Sequence, residues 1–377
     1  MIRDFLPYNL PSIDKDEINE VIDTLESGWL TMGPKTAQFE ALIAKYTGAT
    51  HAIAVNSCTA ALHLSLISLG IGSGDEVITT PYTFAATGNV ILNSNAKPKF
   101  VDITRDTYNI NTDKLQEAIT PKTRAIIPIH YAGHPYDIKA IKDISEDYDI
   151  YIIEDAAHAI GSEYNNKKIG NFGTTTCFSF YATKNITTGD GGAITTEDGN
   201  LADKLRILRL HGISKNAWNR YSERGEWYYE IEEQGWKYNM TDIQASLGIH
   251  QLKKLENFID KRRYYASCYN DYFSKVENLI IPVEKENVKH VYHIYPLLLK
   301  DYDRNNFIQE MHKRRIGCSV HFIPLHIHPL YKNLGYKYGD FPIAEWVYEH
   351  EVSLPLYPKM TLGDIDYVIK SVIDIVG

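Results

Sequence analysis

The apolar positions of the chain change period several times. Near the start, Ile18, Val21, Ile22 and Leu25 fall at i, i+3, i+4 and i+7, and Gly28 follows them, the pattern of an amphipathic helix with a glycine stop. Short apolar or β-branched runs then recur at 51–55, 76–80, 99–103, 124–130, 150–154, 175–181 and 192–196, mostly separated by stretches long enough for a helix. Seven such runs interleaved with helices predict a mostly parallel sheet covered on both faces, an α/β fold.

The pattern shifts again near residue 241. Thr241-Asp242-Ile243-Gln244 has the form of a capping box, and Leu247, Leu252, Leu255 and Ile259 continue an apolar stripe, so a long helix is expected there. Strands follow near 278–284, 290–300, 318–324 and 351–355, with helices around 304–316 and 361–376, the last opened by Thr361. A chain of 377 residues exceeds what one hydrophobic core comfortably fills. The expected division is a large α/β domain over 1–250, with an N-terminal arm, and a smaller α+β domain over 251–377, joined by a shared helix rather than a flexible linker.

Composition narrows the function classes. A formal net charge of −9 supplies no broad positive footprint for nucleic acid, so an anionic ligand needs a local basic pocket. Cys58, Cys177, Cys268 and Cys318 lie far apart with no C-x-x-C pair, which favours a reducing, cytoplasmic setting. The N-terminus lacks the apolar stretch of a signal peptide, and no run approaches the roughly 18 apolar residues of a spanning helix, so no membrane partner is expected. Tyrosine alone is in excess, at 27.

Candidate chemistry sits at the ends of predicted strands. Tyr151-Ile152-Ile153 runs into Glu154-Asp155-Ala156-Ala157-His158, placing an acid where ligands of open α/β sheets bind; an N-cap for a following helix is the plainer alternative. Ser179-Phe180-Tyr181-Ala182-Thr183-Lys184 leads to a glycine-rich turn, Gly189-Asp190-Gly191-Gly192. A lysine and a buried acid are what pyridoxal phosphate (PLP) requires, the one to form an imine, the other to keep the ring nitrogen protonated. The lysine, once released, can move a proton if burial lowers its pKa. Asn56-Ser57-Cys58-Thr59-Ala60-Ala61-Leu62 leads from a strand into a helix whose N-terminus suits a phosphate, with Ser57 as a simple cap the competing reading.

Five segments together carry a family resemblance: Gly28-Trp29-Leu30-Thr31-Met32-Gly33-Pro34, Gly74-Asp75-Glu76-Val77-Ile78, Glu154-Asp155-Ala156-Ala157-His158, Phe178-Ser179-Phe180 with Lys184, and Lys237-Tyr238-Asn239-Met240-Thr241-Asp242. In this order and spacing the chain resembles the sugar aminotransferases of the DegT/DnrJ/EryC1/StrS family, within the fold type I PLP-dependent enzymes. The resemblance implies that Lys184 binds the cofactor covalently and that Asp155 pairs with its ring nitrogen. It implies further that Cys58, Thr59 and Ser179 hold the phosphate, that Phe84 covers the ring, that His158 touches it, and that Asn239 reaches the phosphate of the neighbouring subunit in a homodimer with shared sites.

For substrate, the resemblance implies amino transfer from L-glutamate to the 4-keto carbon of a nucleotide-linked, UDP-type 4-keto-6-deoxy sugar, with Thr31, Arg220, His293, His321 and His326 on the substrate side. The setting would be amino-sugar supply to a polysaccharide or lipopolysaccharide. Amination at C3, or of a keto-cyclitol, is the alternative within the family. A dehydratase of the same family would carry histidine in place of Lys184, a non-catalytic regulator would have lost Lys184 or Asp155, and a dinucleotide dehydrogenase would need the G-x-G-x-x-G that is missing after the first strand. The histidines of His321-Phe322-Ile323-Pro324-Leu325-His326-Ile327-His328 lack H-E-x-x-H spacing and are read as sugar or diphosphate contacts, not metal ligands. The segment holding Trp218, Arg220, Tyr221, Arg224, Trp227, Tyr228 and Tyr229 suits either a nucleotide cover or dimer packing.

Overall fold

A computed structural model describes residues 4–214 and 228–377. Thirteen strands are assigned among them: β1 His51–Val55, β2 Glu76–Thr79, β3 Lys97–Phe100, β4 Thr123–Ile126, β5 Tyr151–Asp155, β6 Glu163–Tyr164, β7 Lys167–Lys168, β8 Thr175–Ser179, β9 Gly192–Thr196, β10 Leu279–Ile280, β11 Val288–Lys289, β12 Tyr295–Leu299 and β13 Glu351–Leu354. The seven predicted runs form one sheet in the order β1-β9-β8-β5-β4-β2-β3, in which β9 alone runs against its neighbours.

Strand residues alternate between two cores because successive side chains point to opposite faces. Ala52, Ala54, Ile78, Ile126 and Ile152 join one cluster with Phe39, Ile43 and Ile141. Ile53, Val55, Val77, Ala125 and Ile153 join the other with Leu62, Leu64, Val90 and Leu205. Both faces being covered, the strands tolerate unbroken apolar runs.

The helix expected after Thr241 spans Asp242–Phe273, 32 residues, with the Thr241 and Gln244 capping box formed. Its first half, through Ile249, Leu252, Leu255 and Ile259, packs in the large sheet's core. Tyr265, Ala266, Tyr269 and Phe273 continue into a separate cluster with Leu297, Leu299, Val352 and Val368. That second cluster lies against a three-stranded antiparallel sheet, β10-β12-β13. The strand anticipated at 318–324 does not form. Ser319 makes an isolated bridge to Ser353 and the chain then turns into a short 3-10 segment, Leu325–Ile327, because its polar groups are spent on side chains rather than on a ladder.

The N-terminal helix, Lys15–Glu26, departs from its apolar pattern in a telling way. Glu17 and Thr24 are buried, and Lys254 of the long helix donates to both Glu17 oxygens at 3.0 Å and to Asp14 at 2.6 Å. The apolar stripe points outward instead, with Ile18, Ile22 and Leu25 about half exposed (51%, 46% and 52%) in the single chain.

Candidate active site

The carboxyl ends of β1, β5 and β8 converge on a cavity of about 540 Å³, within the usual size of small-molecule sites. Among its lining residues are Cys58, Thr59, Phe84, Asp155, His158, Ser179, Lys184, His293 and His321, nine of the residues singled out in the sequence. Thr31 is exposed, its carbonyl accepting from the Asp242 amide. Asn239 is buried beside β1, its amide donating to the Met240 carbonyl at 3.2 Å while its Oδ1 finds no partner among the described residues. His326 pairs with Glu345 at 2.7 Å and packs on Phe341; none of these three lines the cavity. Arg220 lies outside the described residues, as do Trp218, Tyr221, Arg224 and Trp227.

Asp155 ends β5 and caps no helix. Its Oδ2 accepts the Thr87 hydroxyl at 2.8 Å and its Oδ1 the Ala157 amide at 3.1 Å. Burial pushes its carboxyl above the ordinary value, against the pull of those two donors and of Lys184. Neighbouring Glu154 points to the other face. Burial raises its carboxyl, but His130 at 3.1 Å, Thr176 and the Gly173 amide at 2.9 Å outweigh that and hold it below its usual value. The two adjacent acids thus divide their work, Glu154 tying the sheet to Tyr136 and His130, Asp155 facing the cavity.

Lys184 follows β8 in a tight turn, its amide bonded to the Tyr181 carbonyl at 2.9 Å. Burial drives its ammonium down to about 8, with Cys58 and Asp155 acting in the opposite sense. A neutral amine is therefore accessible near physiological pH. Burial also pushes the Cys58 thiol well above its normal value, so it stays protonated.

The helix Cys58–Ser68 opens toward the same cavity. Ser57 caps it by accepting the Ala60 amide at 3.1 Å, which leaves the first-turn amides of Cys58 and Thr59 for another acceptor. Gly192 lets β9 approach: a Cβ there would lie 2.6 Å from the Cys58 amide nitrogen.

The opposite wall is aromatic and imidazole-rich. His158 accepts the Ala132 amide on Nδ1 at 3.3 Å, so its neutral form carries the proton on Nε2. Its ring lies 4.3 Å from that of His293 and 5.9 Å from Phe322. Burial keeps both histidines neutral, with their mutual proximity and Lys184 adding to the effect. Buried Arg262 donates to the His293 carbonyl at 3.0 Å and to Leu356 at 2.6 Å, anchoring this wall to the long helix. Phe84, 63% exposed at the rim, is no core residue; its ring stands 6.0 Å from Phe322.

Several lining residues had no signal in the sequence. Tyr8 arrives because Leu6 pairs with Ile316 through bonds of 2.8 Å to Arg315 and Gly317. Thr87 is carried by the helix Ala85–Asn93 and no local pattern announces it, while Phe322 follows the Ser319–Ser353 bridge to the second sheet.

A half-buried lysine and a buried carboxylate facing one cavity, at the carboxyl ends of the central strands of a seven-stranded sheet of this order, define a PLP-dependent aminotransferase of fold type I. The chain belongs to the DegT/DnrJ/EryC1/StrS aminotransferase family, whose model matches residues 11–373. It is 50% identical to the spore coat polysaccharide biosynthesis protein SpsC of Bacillus subtilis, over 99% of this chain and 97% of that protein. The Streptococcus pneumoniae protein Spr1654, solved in its PMP-form, superposes with a TM-score of 0.94 at 35% identity, covering 98% and 99% of the two chains. Helicobacter pylori PseC, an aminotransferase involved in the biosynthesis of pseudoaminic acid, gives 0.92 at 32%, covering 99% of each. The protein is thus a sugar aminotransferase that uses PLP. Among the described residues no helix is long and apolar enough to cross a membrane, and no cluster of metal ligands occurs.

Proposed function

We propose that this enzyme transfers the amino group of L-glutamate to the 4-keto carbon of a UDP-linked 4-keto-6-deoxy sugar, as a cytoplasmic homodimer supplying an amino sugar for a surface polysaccharide. The observation that carries the reading is that half-buried Lys184 and buried Asp155 face the same cavity. The names of SpsC and PseC support the sugar and polysaccharide context.

The residues present fit the cofactor. Lys184 Nζ would be the covalent anchor, Asp155 the counter-ion of the ring nitrogen, and the Cys58 and Thr59 amides with the Ser179 hydroxyl would cradle the phosphate. Phe84 and His158, which line the cavity, would flank the ring. Bound there, the cofactor supplies an electron sink for the carbon that loses or gains a proton. Lys184 Nζ, made less basic by burial, takes the proton from the α-carbon of glutamate and later delivers one to the sugar carbon. Asp155, held by Thr87 and Ala157, would be the partner of the ring nitrogen. The wall of His158, His293, Phe322 and Tyr8 excludes water from the reacting atoms.

The outward stripe of Ile18, Ile22 and Leu25 supports the homodimer, as does Asn239, whose unpartnered Oδ1 lies outside the cavity of its own chain. The decisive test incubates purified enzyme with L-glutamate and a panel of UDP-linked 4-keto and 3-keto sugars, and locates the new amine by mass and proton couplings. Amination at C4 is expected, with none by Lys184→Ala; amination at C3, or no turnover of any nucleotide sugar, overturns the reading.

A further inference from the structure

One buried carboxyl outside the lysine–carboxylate pair reaches the cavity through a chain of hydrogen bonds. Glu351 and Ser353, both on β13, are fully buried. Glu351 Oε1 is bonded to Ser353 Oγ, and its Oε2 accepts the His321 backbone N–H at 2.9 Å. Ser353 Oγ in turn stands 2.8 Å from His321 Nδ1, and the His321 ring lines the cavity. No cation pairs with Glu351 among the described residues; Arg304 acts on it only at a distance.

Ser353 also bonds the Tyr8 hydroxyl; with Tyr8 as the donor in that bond, a hydroxyl between a carboxyl and an imidazole allows two arrangements. With Glu351 ionised, Ser353 donates to the carboxylate, so its oxygen must accept from His321, which then carries its proton on Nδ1 and offers a bare Nε2 to the cavity. With Glu351 protonated on Oε1, the carboxyl donates to Ser353, Ser353 donates to Nδ1, and the proton of His321 sits on Nε2. Moving one proton at Glu351 exchanges acceptor for donor at the cavity wall.

We propose that Glu351 and Ser353 are positioning residues that set the tautomer of His321, the uncharged carboxyl aiming an Nε2–H donor at an oxygen of the sugar substrate. The inference rests on the sugar-aminotransferase reading of this cavity, but the tautomer itself is readable without any substrate. Burial raises the Glu351 carboxyl to about 8, and burial together with Lys184 lowers His321 to about 3. Between those values the imidazole is neutral and only its tautomer changes. The other groups facing the carboxyl, Tyr8, Tyr82, Tyr108, Tyr131 and Cys318, are all raised by burial and uncharged in this interval. Facing His321 are His158 and His293, both neutral, and Lys184, the one neighbour that titrates in the same range.

The test uses holoenzyme labelled with 15N-histidine, with the His321 signals assigned through His321→Asn, titrated from about pH 6.5 to about pH 9. In the parent enzyme Nε2 should carry the proton at the acid end and Nδ1 at the alkaline end. Glu351→Gln donates permanently through its amide and should hold the acid-end tautomer across the range, whereas Ser353→Ala should break the dependence on pH. KM for the nucleotide sugar should rise about tenfold between pH 7 and 9 in the parent relative to Glu351→Gln, the size expected for one lost hydrogen bond, with the kcat ratio flat. A fixed tautomer in the parent overturns the proposal, as does a Glu351→Gln variant that titrates like the parent, which would assign the change to Lys184. A tautomer change with no difference in KM overturns the directing role. Absence of turnover with every nucleotide sugar would fault the substrate reading and leave the spectroscopic result to decide the relay.

Discussion

The carboxylate of Asp242 accepts the backbone N–H of Gly33 at 2.7 Å, joining points 209 residues apart in the chain. It also accepts the amides of Lys35 at 3.0 Å and Thr36 at 2.9 Å, and the Thr36 hydroxyl at 2.6 Å. The helix Pro34–Thr47 begins at a glycine with no side chain to cap it, so the cap is supplied from the start of another helix. Two of the motifs that carried the family resemblance, Gly28 to Pro34 and Lys237 to Asp242, are the two halves of this contact.

Replacing Asp242 with alanine should strand four donors, the two on Thr36 buried, and lower stability by about 3 kcal/mol. Urea denaturation of the apoenzyme measures it; a loss below about 1 kcal/mol would mean that water substitutes for the carboxylate.

Asp155→Asn removes the charge opposite the ring nitrogen while keeping the shape. A fall in kcat of about 100-fold or more is expected, with KM for glutamate changed by no more than about twofold, since the lost interaction strengthens in the transition state. Steady-state kinetics with an unaffected kcat would remove the residue from its proposed role.

Lys184 gives the apoenzyme a pH signature. Its folded pKa of about 8 lies below the ordinary 10.5, so between these values the unfolded chain binds the extra proton and stability should rise with pH. The rise approaches about 1.4 kcal/mol per pH unit for one proton. Lys184→Met should lack it, and denaturation midpoints with equal slopes for both proteins from about pH 8 to about pH 10 would refute the lowered value.

Shared sites in a homodimer make a separate prediction. Mixing Lys184→Ala subunits with Asn239→Ala subunits should restore up to about a quarter of the activity, because one of the two sites in half of the random dimers is intact. Heterodimers isolated by two affinity tags and found inactive would confine Asn239 to its own chain.

Much of this architecture was legible because burial on both faces leaves a strand no polar option. The runs at 51–55 and 192–196 coincide with β1 and β9, and every other run of the main sheet overlaps its strand. Cavity residues at strand ends, Asp155 and Lys184 above all, were visible for the same reason. The exceptions are physical. The stripe of Ile18, Ile22 and Leu25 predicted a helix correctly, yet it marks the face turned away from the chain's own core, since the Lys254 ion pairs claim the opposite side. Segment 318–324 looked like a strand from its composition, but its His321 amide and Nδ1 are taken by Glu351 and Ser353. The tyrosine excess shows no local pattern in the sequence. Tyr82, Tyr131 and Tyr108 pack ring against ring at 5.3 and 5.6 Å, a contact that joins residues too distant in the chain to show a pattern.

The helix from Asp242 to Phe273 is about 48 Å of unbroken backbone at 1.5 Å per residue, with one end sealed into each hydrophobic cluster. Heating cannot melt one cluster without fraying the beam that the other depends on. A calorimeter should therefore record one endotherm where two nuclei of folding would ordinarily give two, and a break such as Phe258→Pro should split it.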